Sequence, residues 1–136
     1  MARLFRALAR LCLGAIFVMS GIDQARNPAG RARKAAEELP SLPEPELVAT
    51  VQGATMAVFG ATLGVGLIPG ISAAALAATL IPVTYVGHPF WKEEDPAART
   101  SQRIHFLKNL SMFGGLLFVA ADQTDHRKKH ASGSVV

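Results

Sequence analysis

Charge is missing from the middle of this sequence. The stretch from Leu47 to Trp91 contains no Asp, Glu, Lys or Arg, and half of the whole chain is hydrophobic. A water-soluble domain needs polar side chains to cover such a stretch, and a disordered chain needs low hydrophobicity and high charge. The sequence therefore disfavours both classes and indicates a membrane protein.

Cysteine is scarce as well, because Cys12 is the only one in the 136 residues. A single cysteine excludes an internal disulfide and any Cys-x-x-Cys redox or zinc site. The two histidines near apolar segments, His88 and His105, lack a third ligand to complete a metal site. No metal site is predicted.

The basic residues are not arranged for nucleic acid. The chain carries 14 Lys and Arg against 10 Asp and Glu, a net charge of +4. The basic side chains form short clusters at the edges of apolar stretches, which is typical of membrane topology rather than of a nucleic-acid surface. The expected partner is the lipid bilayer, and no nucleic acid.

The uncharged stretch is long enough for two membrane spans, since one span needs about 20 apolar residues. Pro69-Gly70 interrupts it, because proline lacks the amide proton that a helix interior requires and glycine favours a turn. The sequence predicts spans over about 46–68 and 71–88, joined as an antiparallel hairpin. Within the first of these, Gly60 and Gly64 match the close-approach pattern of membrane helices.

Two further spans flank this hairpin. Asp95-Pro96 is typical of a helix cap followed by the first helical position, and it precedes an apolar span over about 104–121 that is predicted to end near Asp122. The first apolar segment, about 4–25, is favoured as an uncleaved span, with a cleaved signal peptide as the alternative.

The predicted fold is all-α, an integral membrane four-helix bundle in a single domain over 1–136, with a polar tail at 122–136. Four spans place both termini on one side, and we expect that side to be the cytoplasm. Between the first two spans, opposite charges four residues apart at Arg33/Glu37 and Lys34/Glu38 favour a short surface helix.

This topology brings polar residues from all four spans to one face of the membrane. Ionisable residues in membrane helices usually face the bundle interior or water, which makes them candidates for a functional site. No catalytic role is assigned to any of them. The candidate cluster consists of Asp23, Gln24, Gln52, His88, Gln102, His105, Lys108 and Asn109.

Lys108 has two interpretations. It lies inside one boundary of the last span, close enough for its ammonium group to snorkel to the membrane surface. The alternative is an ion pair inside the bundle, for which Asp23 is the natural partner because it lies on the same membrane face.

Three segments of the sequence resemble one known family. They are residues 16–28, which include Ser20-Gly21-Ile22-Asp23, the Gly-His-Pro-Phe-Trp block at 87–91, and the Phe-Leu-Lys-Asn block at 106–109. Together they are similar to the DoxX family, and most of all to its actinobacterial branch. The similarity extends over about residues 10–121.

The resemblance implies a small multi-pass protein of the bacterial inner membrane. The family takes its name from subunits of thiosulfate:quinone oxidoreductase, and its members are associated with membrane oxidoreductase complexes and resistance to oxidative stress. Other members often carry a lysine shortly after the first-helix Ser-Gly, where this chain has Asp23-Gln24-Ala25-Arg26. A role that depends on that lysine is therefore not carried over.

Three classes of function remain open, and the sequence does not decide whether the chain is an enzyme. The favoured one is a non-catalytic membrane subunit or scaffold of an oxidoreductase complex, linked to oxidative stress or to thiol or sulfur redox, with soluble redox enzymes as partners. The second is a quinone-reactive subunit, in which His88, His105 and Lys108 donate hydrogen bonds and Asp23 accepts a proton.

The third class, a small-solute transporter, is the weakest, because neither an inverted repeat nor a matching pair of broken helices is visible. Quinone is the one cofactor that the resemblance suggests, and a homo-oligomer is left open.

Overall fold

The computed structural model describes residues 1–132, with side chains through Gln123. Four of its helices are long and apolar enough to cross a membrane, and no strand occurs in the described residues, so the predicted all-α membrane bundle is confirmed. The side chains of the predicted polar tail beyond Gln123 lie outside the described residues. The helices are α1 (Ala2–Arg26), α2 (Ala29–Glu38), α3 (Pro45–Val65), α4 (Pro69–Gly87) and α5 (Pro96–Ser132), with a 3-10 turn at Phe90–Lys92.

The turn between α3 and α4 lies slightly before the predicted position. Gly66 adopts a left-handed conformation with φ of 74°, and its N–H and that of Leu67 bond to carbonyls in the last turn of α3. Glycine reaches this conformation without a steric penalty, so it ends the helix. Pro69 then occupies the start of α4, where its missing N–H costs nothing. Proline begins a helix here rather than breaking one.

Helix α5 starts as predicted and ends later than predicted. The Oδ2 atom of Asp95 accepts a hydrogen bond of 2.7 Å from the Ala98 N–H, which confirms the cap ahead of Pro96. The helix continues past Asp122 to Ser132. No glycine or proline interrupts the residues between these two positions, so nothing in the local sequence stops the helix.

Helices α1 and α3 pack backbone against backbone in antiparallel orientation. A Cβ placed on Gly14 would lie 2.5 Å from the Gly60 carbonyl oxygen, and one on Gly21 would lie 2.5 Å from that of Gly53. No side chain fits at such distances. Glycines seven residues apart on each helix therefore allow this close approach.

The remaining interfaces use larger side chains. Leu63, Leu76 and Leu116 from α3, α4 and α5 are fully buried and pack with Phe17 of α1. Many leucine, isoleucine and phenylalanine side chains remain exposed on the outer faces of the helices, as expected for surfaces that contact lipid. At one end of the bundle, Arg6 of α1 forms a 3.1 Å ion pair with Asp122 of α5.

Candidate functional site

The predicted polar cluster divides into two groups at the opposite end of the bundle from that ion pair. Gln24 of α1 and Gln52 of α3 form the first group, and the residues of the second lie at the junction of α4 and α5. Asp23 and Lys108 belong to neither. The second group consists of His88, Gln102, His105 and Asn109.

The first group is a chain of hydrogen bonds across three helices. The Nε2 atom of Gln24 donates to the Ala49 carbonyl oxygen at 2.9 Å and to Oε1 of Gln52 at 3.1 Å. The Nε2 atom of Gln52 in turn donates to the Thr79 carbonyl oxygen at 3.3 Å. The two side-chain amides thus connect α1, α3 and α4.

The amide orientation of Gln24 is determined by its neighbours. The Ala49 carbonyl oxygen only accepts hydrogen bonds, so it must face the NH₂ group of Gln24 rather than its oxygen. Gln24 is only 1% exposed, and its Oε1 atom has no hydrogen-bond partner among the described residues. A buried acceptor without a donor carries a desolvation cost, so this atom lowers the stability of the folded chain.

The second group is built around His88, which follows α4. Its Nδ1 atom lies 2.8 Å from Oε1 of Gln102, and its ring stacks on His105 with centroids 5.0 Å apart. Deeper in the same interface, buried Asn109 donates to the Thr84 hydroxyl at 3.0 Å. His105 itself is exposed.

The proposed pair between Asp23 and Lys108 does not form. Asp23 is exposed and lies 3.3 Å from Arg31 of α2, which is closer along the chain and on the same surface. Lys108 is exposed on α5, and no ion pair to it occurs among the described residues. The snorkelling interpretation fits this position because the side chain is free to reach the membrane surface.

A half-open groove of about 1030 Å³ lies under α2 and is referred to below as the α2 groove. Its floor carries Gln24, Gln52 and His88, while the basic side chains Arg33 and Lys34 of α2 line its rim. The groove thus combines an apolar body with polar groups at one end. Its apolar walls come from the 39–44 linker, α3 and α4, and include Leu39, Leu42, Leu47, Val48, Val51, Val83 and Val86.

Two ion pairs hold α2 over this groove. Lys92 lies 2.6 Å from Glu38 at the end of α2, and Arg31 near its start contacts Asp23. The sequence spacing places Glu38 opposite Lys34, but Glu38 forms its ion pair with Lys92 instead. The sequence predicted α2 as a surface helix, but no pattern in it indicated that the helix covers a cavity.

The groove carries few reactive side chains among the described residues. Among the described residues that line it there is one imidazole, that of His88, and neither a carboxylate nor a thiol. No three His, Cys, Asp or Glu side chains in the described part of the chain lie close enough to share a metal ion. A long apolar molecule with a small polar head matches this arrangement of apolar walls and polar floor.

A comparison with protein families identifies the chain. The family model described as DoxX matches residues 5–89, which cover more than half of the sequence and extend from the first turn of α1 through the end of α4. Comparisons with curated proteins and with solved structures returned no match. The four membrane-spanning helices and this family match agree, and the chain belongs to the DoxX family.

Proposed function

We propose that this multi-pass membrane protein is the membrane subunit of an oxidoreductase complex and that its α2 groove binds an isoprenoid quinone. In this proposal the chain supplies binding and anchoring, while a redox partner enzyme carries out the electron transfer. The partner is a soluble enzyme of oxidative-stress defence or of thiol or sulfur redox, in a bacterial inner membrane.

The observation that carries this proposal is the pairing of apolar walls with a polar floor. A volume of about 1030 Å³ lies at the upper end of the range for pockets that hold small molecules. Leu42, Val48 and Val86 offer contacts for a prenyl chain, while the N–H groups of Arg33 and Lys34 offer hydrogen bonds to ring oxygens. A quinone is a molecule of this shape that is dissolved in the membrane.

A second candidate gives the chain a direct part in quinone chemistry. His88 lies in the groove and its ring contacts Gln102 and His105, which is exposed at the bundle surface. An imidazole ring carries two nitrogens that can take up or release a proton, so His88 is the groove side chain suited to exchange a proton with a bound quinone. A transporter finds less support, because among the described helices only α4 carries an internal proline, Pro82.

Binding of a short-chain quinone analogue to the purified full chain in mild detergent tests the quinone site. The matched variants are Val51→Trp and Val58→Trp, since both valines are on α3 and similarly exposed, at 56% and 59%. Only Val51 lines the groove. We expect Val51→Trp to weaken binding at least tenfold and Val58→Trp to leave it unchanged. Equal affinity of the two variants, or no binding to the unmodified chain, contradicts the proposal.

Affinity purification from the native membrane tests the anchoring role separately. A redox enzyme should be recovered with the tagged chain above the level seen with an unrelated four-helix membrane protein. Recovery of the chain alone, in a detergent that preserves its fold, contradicts a role as a complex subunit.

A further inference from the structure

We infer that the α2 groove holds an anionic phospholipid, with the phosphate of its headgroup at Arg33 and Lys34 on the rim and an acyl chain along the apolar walls. This inference goes beyond the quinone site proposed above and does not depend on it, because its main test needs no quinone. It follows from the charge of the rim, the depth of α2 in the membrane and the apolar walls below.

The rim of the groove is positively charged. Three basic side chains of α2, those of Arg31, Arg33 and Lys34, line the groove, and no carboxylate occurs among the described residues that line it. The charge of Arg31 is balanced by its ion pair with Asp23 at 3.3 Å. Arg33 and Lys34 form no ion pair with any described residue, so two positive charges remain at the rim.

The two glutamates of α2 leave these charges unpaired. Glu37 follows Arg33 by four residues, a spacing that allows an ion pair on a helix, yet no such pair forms in the described part of the chain. Glu38, at the same spacing from Lys34, contacts Lys92 at 2.6 Å instead. An arginine and a lysine that are both exposed and share one groove match a phosphate, which accepts charge-assisted hydrogen bonds from both.

Helix α2 lies at the depth of the lipid headgroups. It begins at Ala29, just after the membrane-spanning α1 ends, and its last residue, Glu38, is bound to Lys92. Lys92 directly follows Trp91, whose ring lies 5.8 Å from that of Tyr85. Tryptophan and tyrosine are enriched at the boundary between membrane and water. The basic side chains of α2 are therefore at the level of the lipid phosphates.

The headgroup, rather than the acyl chain, determines which lipid binds. Leu42, Val48 and Val86 offer apolar contacts, but an acyl chain finds equally apolar surroundings in the bilayer. A basic side chain near an anionic surface contributes about fivefold in affinity. Arg33 and Lys34 together thus predict a preference of about twentyfold for an anionic over a zwitterionic phospholipid.

Native mass spectrometry of the full chain in mild detergent tests the inference without quinone. The probes are phosphatidylglycerol and phosphatidylcholine with identical acyl chains, which differ in net headgroup charge. We expect phosphatidylglycerol to bind about twentyfold more tightly, and equal affinities overturn the inference. Glycerol 3-phosphate carries the phosphate without an acyl chain and should not displace phosphatidylglycerol. Displacement by an equal concentration would make the ligand a free phosphate and overturn the inference as well.

Two double variants assign the preference to the rim. Arg33→Gln with Lys34→Gln removes both unpaired charges from the groove and should reduce the ratio of affinities to about one. Arg99→Gln with Arg103→Gln removes the same number of exposed charges from the start of α5, outside the groove, and should leave the ratio at about twenty. An equal loss in the two variants, or a ratio that survives in the first, overturns the inference.

Protection of a cysteine tests whether the lipid lies in the groove. Val51→Cys and Val58→Cys, each in a Cys12→Ser background, place the only thiol on α3 at positions that are 56% and 59% exposed. Only Val51 lines the groove. Phosphatidylglycerol should slow labelling by a membrane-permeant maleimide severalfold at position 51 and not at position 58. Equal labelling at the two positions would confine the lipid to the surface and overturn the inference.

The lipid and the quinone of the proposed function should compete, because both bond the same rim side chains. Phosphatidylglycerol, unlike phosphatidylcholine, should therefore weaken the binding of the quinone analogue. A quinone affinity that phosphatidylglycerol does not change overturns the lipid site. Absence of quinone binding with either lipid overturns the quinone site instead, and the lipid site is then decided by the affinity ratio and by the protection of Val51→Cys.

Discussion

Helix α3 packs in opposite ways on its two sides. Toward α1 it presents Gly53 and Gly60, and the backbones meet with no room for a single Cβ. Toward α4 and α2 it presents Val48, Val51 and Gln52, and the neighbouring elements stand apart to leave a groove of about 1030 Å³. One helix thus packs tightly against α1 on one side and forms a wall of the α2 groove on the other.

The difference shows how a small membrane protein forms a cavity without a large core. Close backbone contact gains dispersion energy over a long interface and holds α3 in one position relative to α1. The opposite face of α3 is then free to leave space, because its position does not depend on filling that space. The groove is covered by α2, which is held by ion pairs at Glu38 and Arg31.

The largest loss of stability is expected at the glycine contact between α1 and α3, where a side chain has no room. In Gly21→Val the new Cβ would lie 2.5 Å from the Ala57 nitrogen and the Gly53 oxygen, so the two helices must separate. We expect the free energy of unfolding to fall by about 3 kcal/mol, at the upper end for overpacking. Unfolding in a denaturing detergent gives the value.

The matched control for this variant is Gly114→Val. A Cβ on Gly114 meets no atom within 4 Å, so the same substitution should change stability by about 0.5 kcal/mol or less. Similar losses for the two variants would show that α1 and α3 are not in close contact.

Breaking the glutamine chain should have the next largest effect. Gln52→Leu removes the acceptor of one Gln24 N–H and leaves that donor unpaired beside the groove. The expected loss of unfolding free energy is about 1–3 kcal/mol. Thr55→Val on the same helix is the control, because its hydroxyl bonds only the Val51 carbonyl of its own helix. If both variants have the same melting temperature as the unmodified chain, the hydrogen bonds between Gln24 and Gln52 contribute no stability.

Much of the fold follows from the sequence, and less of the site does. Uncharged stretches of the required length predict the membrane helices, and Asp95-Pro96 predicts the start of α5, because these signals are local. The sequence predicts the close helix contact only in part: it singles out Gly60 and Gly64, and both lie against Gly14 of α1, but it does not indicate which helix they meet. Which glycines meet depends on how two distant segments align.

The division of the polar cluster also depends on packing rather than on spacing. Gln24 and Gln52 are on different helices, and only the register between α1 and α3 places their amides 3.1 Å apart. Asp23, the neighbour of Gln24, points to the surface and contacts Arg31. Adjacent residues on a helix face different directions, so membership of one membrane face did not imply membership of one site.

Breaking the ion pair between Glu38 and Lys92 should moderately increase the rate at which α2 opens the groove. Glu38→Gln removes the carboxylate that contacts Lys92 at 2.6 Å, so α2 should open more often. A cysteine at Leu42, in a Cys12→Ser background, reports access to the groove through its labelling rate. We expect the rate to rise severalfold. The neighbouring Glu37→Gln should leave it unchanged, and equal rates in both variants would mean that this ion pair does not hold the cover.

The smallest effects are expected at the two charged residues outside the site. Lys108→Ala removes an exposed side chain, and Asp23→Asn weakens an exposed ion pair in which the aspartate side chain is 63% exposed. Exposed pairs contribute about 0–1 kcal/mol, so the melting temperature should barely change for either variant. A large loss with Lys108→Ala would instead place its ammonium group inside the bundle.

The central claim is that the α2 groove is the quinone site, and photoaffinity labelling tests it most directly. A photoreactive quinone is bound to the full chain in lipid nanodiscs and irradiated, and the modified residues are mapped by mass spectrometry with and without excess unlabelled quinone. We expect competable adducts on the groove walls, at residues 39–52 and 78–88. Competable adducts confined to the outer face of α5, or adducts that excess quinone does not reduce, would contradict it.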